Sequence, residues 1–313
     1  MRKKLCVYIH GKGSLGSSIM KVLDNSGYDI SSDNCENSNI SCIVICTPGE
    51  AIAKQIDYFL SLKIPLIILS TKYDQSMVKE KAINSGVPLI MSENMALPVL
   101  DFWDRLYNLP TVPKGLDVNI SAIESHQSSK QDISGSLKNT LMLFKNLGFK
   151  FKFNYEKASK IYKVGENGKF GNVVWIREKD TQLKHEVPNQ FIGSHGYHTF
   201  CINYGFNNDS QKYILQIYRI LKTLETYTLP GIIDLKISLC VNNKELTITH
   251  NINGKEIYAY GTIKCIEFLK IKKSGVFSAI DVIKSDDWKN IDLINQCFCT
   301  GFFYKFTIIK KYI

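Results

Sequence analysis

The sequence predicts an α/β protein: a Rossmann-like, doubly wound parallel sheet, joined to a second α+β domain with a mostly antiparallel sheet. Three observations predict it. Short apolar runs alternate with helical periodicity over roughly the first hundred residues. A glycine-rich turn, "GKGSLG", separates the first run from the first helix. Beyond about residue 118 the runs become period-two patterns broken by Asn, Gly and Lys clusters.

The elements follow in order. Leu5 to His10 reads as a buried strand, and Leu15, Ile19, Val22 and Leu23 fall at helical spacing up to Gly27. "NISCIVICTP" and "IPLIILSTK" are buried strands, with a helix between them marked by Ile52, Ile56, Phe59 and Leu60. "VKEKAINSG" is a helix and "VPLIMSEN" a strand. "LDVNISAIESH" then alternates as a strand, followed by the amphipathic helix "SLKNTLMLFKNLGF". "GNVVWIRE", "YHTFCINYGF", "IIDLKISLCV" and "KELTITHNI" are β-like, and "QKYILQIYRILKTLETY" and "IYAYGTIKCIEFLK" are helical. The expected domains are 1–118 with 256–284 for a dinucleotide, 119–255 for substrate and oligomerisation, and a C-terminal extension at 285–313.

The chain has 313 residues, 44% hydrophobic and 22% charged, which is globular composition with room for two domains. Its 39 basic and 29 acidic side chains leave a charge of +10, favouring anionic partners, although a coding bias toward Lys, Asn and Ile explains the charge as simply. Nine cysteines are scattered without a CxxC pair. Neither Cys297 with Cys299 nor Cys42 with Cys46 makes a zinc or disulfide framework, so reduced thiols and a cytoplasmic location are expected. The apolar run in "MRKKLCVYIHGKG" is too short for a signal, the first strand starts too early for a transit peptide, and no run approaches a membrane span. Aromatic "GFFYKF" lacks an accompanying nucleic-acid motif. No membrane or nucleic-acid partner is expected.

"YIHGKGSLG" fits G-x-G-x-x-G between strand and helix. Gly11 makes the turn, Gly13 admits a pyrophosphate and Gly16 packs helix on strand, with Lys12, Ser14 and Leu15 between them. A ligand-free glycine turn is the plainer alternative. Asp33 falls near the position of a ribose-binding acid but on a weak second strand. Lys12 either meets a 2′-phosphate or faces solvent; the first option tilts the expected cofactor, NADPH or NADH, toward NADPH.

"ESHQSSKQDISGS" carries His, Lys and Asp among small polar residues. Ser134, Gly135 and Ser136 precede a helix, so backbone N–H groups and hydroxyls there can cradle a carboxylate. Lys130 adds positive charge, and His126 can supply a proton near neutral pH. A polar loop with an N-cap is the bland reading. His195, His198 and His250 could suggest a metal, but no carboxylate or Cys joins them at ligand spacing, so none is expected.

"ESHQSSKQDISGSLK" resembles the substrate motif of dihydrodipicolinate reductases, closest to the plant-type E-S-H-Q-x-x-K-x-D-T-S-G-T-A-K. "VPNQFIGSHGYHTF", "HNINGKEIYAYGT" and "GVFSAIDVI" resemble three further family segments in order, over roughly residues 5 to 284. The resemblance implies NAD(P)H-dependent reduction of a cyclic dicarboxylate imine in lysine and diaminopimelate biosynthesis by a homo-oligomer, dimer or tetramer. It implies that His126 donates a proton, Lys130 grips substrate and helps protonation, and Gln127, Ser134, Gly135 and Ser136 bind substrate. It implies cofactor contacts at Thr47, Thr71, Asn94 and Lys255. "STK" departs from G-T-T-G, "SENMA" from A-P-N-x-S, "CTPGE" from F-T-x-P-E, and Lys255 replaces an Arg fork. Residues 205–235 look inserted. The alternatives are another two-domain NAD(P)-dependent dehydrogenase and a catalytically lapsed homologue with a binding role.

Overall fold

The structure, a computed structural model, describes residues 5–31, 39–71, 73–92, 94–194, 196–224, 233–252 and 254–285. Asp33, His195, part of the 205–235 segment and the tail beyond 285 lie outside the described residues.

The chain opens β1 (Cys6–His10), α1 (Ser14–Asn25), β2 (Asp29–Ser31), β3 (Ile40–Ile45), α2 (Gly49–Ser61), β4 (Leu66–Ile68), α3 (Gln75–Ser85) and β5 (Leu89–Met91). There follow α4 (Leu97–Tyr107), β6 (Val118–Ser125), α5 (Gly135–Asn146), α6 (Tyr155–Ile161), β7 (Gly168–Phe170), β8 (Val173–Ile176) and α7 (Lys179–Lys184). Next are β9 (Gly196–Tyr204), α8 (Asn208–Lys222), β10 (Ile233–Cys240) and β11 (Glu245–Ile252). The described chain closes with α9 (Glu256–Lys270), β12 (Val276–Ser278) and α10 (Ala279–Lys284).

Two compact units result. The described residues up to Met95 and from Tyr258 onward form one, and Ala96–Ile257 the other. In the first unit all strands are parallel, in the order β12-β5-β4-β3-β1-β2. Ile43, Val44 and Ile45 are almost fully buried because helices cover both faces of a parallel sheet. Ile52, Ile56 and Phe59 of α2 pack on Ile43, Ile45, Leu66 and Ile68. The first unit is therefore the doubly wound sheet that the alternating runs predict.

The second unit holds a mixed sheet of order β10-β11-β9-β6-β8-β7, in which only the β6–β8 pairing is parallel. On one face Val118, Ile120 and Ala122 of β6 lie opposite Tyr204, Ile202 and Phe200 of β9, and Leu246 and Ile248 of β11 continue the rows. All are buried. The next row on the same face is polar: Glu124, His198 and His250.

The division falls at Met95/Ala96, whereas the sequence placed residues up to 118 with the first domain. Helix α4 groups with the second unit because its aromatic face belongs there. Trp103 Nε1 donates to Thr140 Oγ1 of α5 at 2.8 Å, and Phe102 stacks on His250 at 6.1 Å.

Gly261 of α9 has no room for a side chain: a Cβ there would lie 1.8 Å from the Met95 carbonyl oxygen. Backbone cannot yield as a side-chain tip can. Gly261→Ala is expected to destabilise the chain by about 3 kcal/mol, read as a lower urea midpoint at unchanged slope.

Candidate functional site

The β1–α1 turn uses three glycines for three reasons. Gly11 has φ +117°, and a Cβ there would lie 2.9 Å from the Cys46 carbonyl carbon. A Cβ on Gly16 would lie 1.9 Å from the Gly11 carbonyl oxygen. These two are required for the loop to pack. Gly13 is different: its backbone is ordinary (φ −71°, ψ 179°), and an added Cβ meets nothing within 4 Å. The packing of the protein does not require a glycine there, whereas a diphosphate approaching the α1 N-terminus would. Beside the turn, Thr47 follows β3 with its Oγ1 buried and unpartnered, and its carbonyl accepts from Ser70 Oγ. The turn therefore suits a dinucleotide. Lys12, Ser14 and Thr71 are exposed, Leu15 is half-buried and Asn94 is buried. Lys255 is half-buried and belongs to the second unit.

The second unit builds its own cluster of candidate residues. Period-two geometry puts Glu124 and, one step beyond β6, His126 on the same side. Ser125 points the other way and accepts from Gln182 Nε2 at 2.8 Å. The same Nε2 donates to the His126 carbonyl at 3.0 Å. Gly196 of β9 makes room for the His126 ring, since a Cβ there would sit 3.0 Å from its Cε1. Lys130 pairs with Asp132. At the start of α5, Ser134 N–H donates to Glu124 Oε2 at 2.8 Å, and Ser134 Oγ caps the helix by accepting from Ser136 N–H at 3.1 Å. The Ser-Gly-Ser turn is thus partly committed internally: Ser134 is buried and shapes the turn, while Gly135 is exposed and Ser136 half-buried. Gln127 is half-buried, and its N–H donates to the Ser194 carbonyl at 3.0 Å.

Arg177, just past β8, holds this loop together. Its side chain and that of Glu124 are both fully buried, and Arg177 Nη2 donates to Glu124 Oε1. The remaining donors reach Tyr162 Oη at 2.9 Å, the Ile176 carbonyl at 3.0 Å, and the Glu124 and Asp132 carbonyls at 3.4 Å each. Five N–H donors thus meet five acceptors. Motif reading missed Arg177, Tyr162, Gly196 and Gln182. The signal for Glu124 was present in the two-residue step to His126, and that for Arg177 in a lone charge ending an apolar strand. Tyr162 had none, because its contact depends on tertiary folding.

Burial pushes the Glu124 carboxyl up, but the His198 ring 3.8 Å away, His126 and the Arg177 guanidinium outweigh it and hold the group well below the usual carboxylate range. Burial drives the His126 imidazole far down; Glu124 opposes this, while His198, Lys130 and Arg177 add to it. His250, stacked parallel on His198 at 6.1 Å, is lowered to about 3 by burial, with His198 adding.

The sequence reading found no carboxylate beside the histidines; the β6–β9 register supplies one. Ligand atoms of Glu124, His126 and His198 lie within 4.8 Å of one another. Glu124 already accepts from Arg177 and from Ser134 N–H, so a cation there would compete with a buried guanidinium.

A nucleotide-ready turn on a doubly wound sheet, with a His, Lys and Ser-Gly-Ser loop on a separate mixed sheet, is the build of a two-domain oxidoreductase. The family model described as "Dihydrodipicolinate reductase, C-terminus" matches residues 109–283. The chain belongs to the dihydrodipicolinate reductase family. A curated relative, "4-hydroxy-tetrahydrodipicolinate reductase" of Brachyspira hyodysenteriae, is 24% identical over 284 residues, covering 88% of this chain and 99% of the relative. "4-hydroxy-tetrahydrodipicolinate reductase 1, chloroplastic" of Arabidopsis thaliana is 20% identical over 257 residues, covering 79% of this chain and 58% of that protein. The solved structure "Dipicolinate bound Dihydrodipicolinate reductase from Paenisporosarcina sp. TG-14" has a TM-score of 0.54 at 10% identity, covering 89% of this chain and 99% of that one. That likeness concerns the fold. Among the described residues, no helix is long and apolar enough to cross a membrane.

Two outcomes are expected. Gly16→Ala is expected to lower the melting temperature strongly, whereas Gly13→Glu keeps it near wild type but loses the thermal shift given by NADPH or NADH. The second concerns pH. His250 binds its proton more weakly folded than unfolded, so the unfolded chain takes up more protons as the solution is acidified. Its contribution to stability is complete above its ordinary value of 6.5 and is lost progressively as pH falls toward about 3. His126 acts in the same direction. Urea midpoints are expected to be flat near pH 7 to 8 and to fall below 6.5, with a shallower slope in His250→Phe.

Proposed function

We propose that this chain carries out the NAD(P)H-dependent reduction of 4-hydroxy-tetrahydrodipicolinate to tetrahydrodipicolinate, a step of lysine and diaminopimelate biosynthesis. One observation carries the reading to these residues: His126, Lys130 and the Ser134–Ser136 turn lie on a single segment whose shape is held by the Arg177–Glu124 pair, in a chain of this family. The Gly11–Gly16 turn, with Thr47, Thr71 and Asn94, holds the nicotinamide nucleotide, which supplies the hydride when bound; the family resemblance assigns Lys255 a cofactor contact as well.

The chain's own residues bind, orient and move a proton. Lys130, paired with Asp132, exchanges that partner for a substrate carboxylate. The second carboxylate meets the exposed Gly135 end of α5, where first-turn N–H groups have no intrahelical partner, and the Ser136 hydroxyl. His126 is held neutral by burial. A dicarboxylate arriving beside it adds negative charge and favours the imidazolium, so binding and proton uptake are coupled. The proton is then delivered to the substrate as the ring is reduced. Lys12, exposed on the cofactor turn, supports a preference for NADPH through its 2′-phosphate.

The test is steady-state kinetics on substrate freshly made from pyruvate and aspartate semialdehyde. His126→Ala is expected to lower kcat by roughly 10²-fold with a smaller change in KM, and Lys130→Ala to raise KM most. Near-normal kcat in His126→Ala would remove it as the acid. Lys12→Ala is expected to reduce kcat/KM for NADPH more than for NADH; equal losses would remove its 2′-phosphate role.

A further inference from the structure

The 130–136 loop is also held from outside, by a segment that the reading above does not use. Helix α6 carries a tyrosine at its first residue and another just past its last. Tyr155 Oη donates to the Ile133 carbonyl at 3.1 Å, and Tyr162 Oη donates to the Lys130 carbonyl at 2.6 Å. Both rings lie against cations: Lys138 Nζ is 4.8 Å from the Tyr155 centroid, and the Arg177 guanidinium is 5.3 Å from that of Tyr162. The Tyr162 hydroxyl also accepts from Arg177 Nε at 2.9 Å. It therefore joins the buried guanidinium to the backbone of Lys130, whose ammonium group pairs with Asp132.

We propose that Tyr155 and Tyr162 form a clamp that fixes the shape of the dicarboxylate-binding loop, and that Tyr162 is the positioning residue for Lys130. The proposal rests on the reading of Lys130 as a carboxylate grip. The physical requirement is one of spacing. A ring dicarboxylate has its two carboxylates at a fixed separation, so Lys130 and the α5 N-terminus must be held at a matching one. Between them the loop offers only one fully buried apolar anchor, Ile133; Gln131 and Gly135 are exposed. Hydrogen bonds to the Lys130 and Ile133 carbonyls fix the backbone at two points of that interval. Either hydroxyl can be removed with its ring left in place, so the clamp is separable from packing.

The experiment is a double-mutant cycle on the full chain, saturated with NADPH, using pyridine-2,6-dicarboxylate as the probe and calorimetric Kd as the readout. Tyr162→Phe removes both the bond to the Lys130 carbonyl and the acceptor of Arg177 Nε, and is expected to weaken the probe about tenfold. Lys130→Ala is expected to weaken it more, and the double variant no more than Lys130→Ala alone. NADPH affinity should stay within about twofold throughout, a split that general loosening of the fold would not produce. Wild-type probe affinity in Tyr162→Phe, or losses that simply add, overturns the positioning role. If Lys130→Ala itself binds the probe normally, the grip reading fails and takes the clamp's function with it; that result differs from failure of the clamp alone, where Lys130→Ala is weak and Tyr162→Phe is not. Should Tyr162→Phe fail to fold, Tyr155→Phe decides, since it leaves Arg177 untouched: a loss of about threefold supports the clamp, and unchanged affinity overturns it.

Discussion

The ion pair between Arg177 and Glu124 is the constraint from which the second unit's candidate site takes its shape. Two charges with no solvent exposure cost several kcal/mol each to desolvate, and their mutual attraction offsets this only when the remaining hydrogen-bonding capacity is also used. Here it is used. The guanidinium spends its other donors on Tyr162, Ile176, Asp132 and the Glu124 carbonyl, and the second carboxylate oxygen takes the Ser134 N–H. Those partners span the segment carrying His126, Lys130 and Ser134. Removing either charge would strand the other and release the loop at several points together.

The sheet that carries this pair changes character along its length. Three apolar rows across β6 and β9, two of them continued by β11, give way to the row Glu124, His198, His250 without any change in strand geometry. The apolar rows hold the sheet together, and the polar row places an anionic carboxylate in line with His250, whose imidazole burial keeps neutral, as it does that of His126 beyond the strand. That arrangement is costly in acid, because the histidines must become charged when the chain unfolds. It also leaves His126 responsive to any anion brought beside it.

The two units differ in how far their sequences follow the family. The segment 124–132 keeps Glu124, Ser125, His126, Gln127, Lys130 and Asp132 in the order of the motif it resembles, and the structure gives Glu124 a role in holding that segment. The segments around Thr71 and Asn94 depart from it. The β1–α1 turn keeps its form through Gly11 and Gly16, where a Cβ would meet backbone. The 124–136 segment instead keeps its form through side chains that interlock around one buried pair.

Much of the fold was legible in sequence because it is written in local periodicity. The alternating runs gave the parallel sheet, "GKGSLG" the tight β1–α1 turn, and "LDVNISAIESH" the strand β6 that leads into the candidate site. Even the shared face of Glu124 and His126 follows from a two-residue step. Helix α4 was not assigned to its unit, since its side is chosen by Trp103 reaching Thr140 and Phe102 stacking on His250, contacts remote in sequence. The carboxylate beside His198 was missed because it arrives by strand register across β6 and β9. Tyr162 carries no motif at all, and only the fold brings it to Lys130. The sequence by itself determined the elements, the glycine turn and the reactive residue types, all of which depend on neighbours a few positions away. Tertiary structure alone decided which acid meets which base, because that depends on register and on a buried charge that must find a partner wherever the chain provides one.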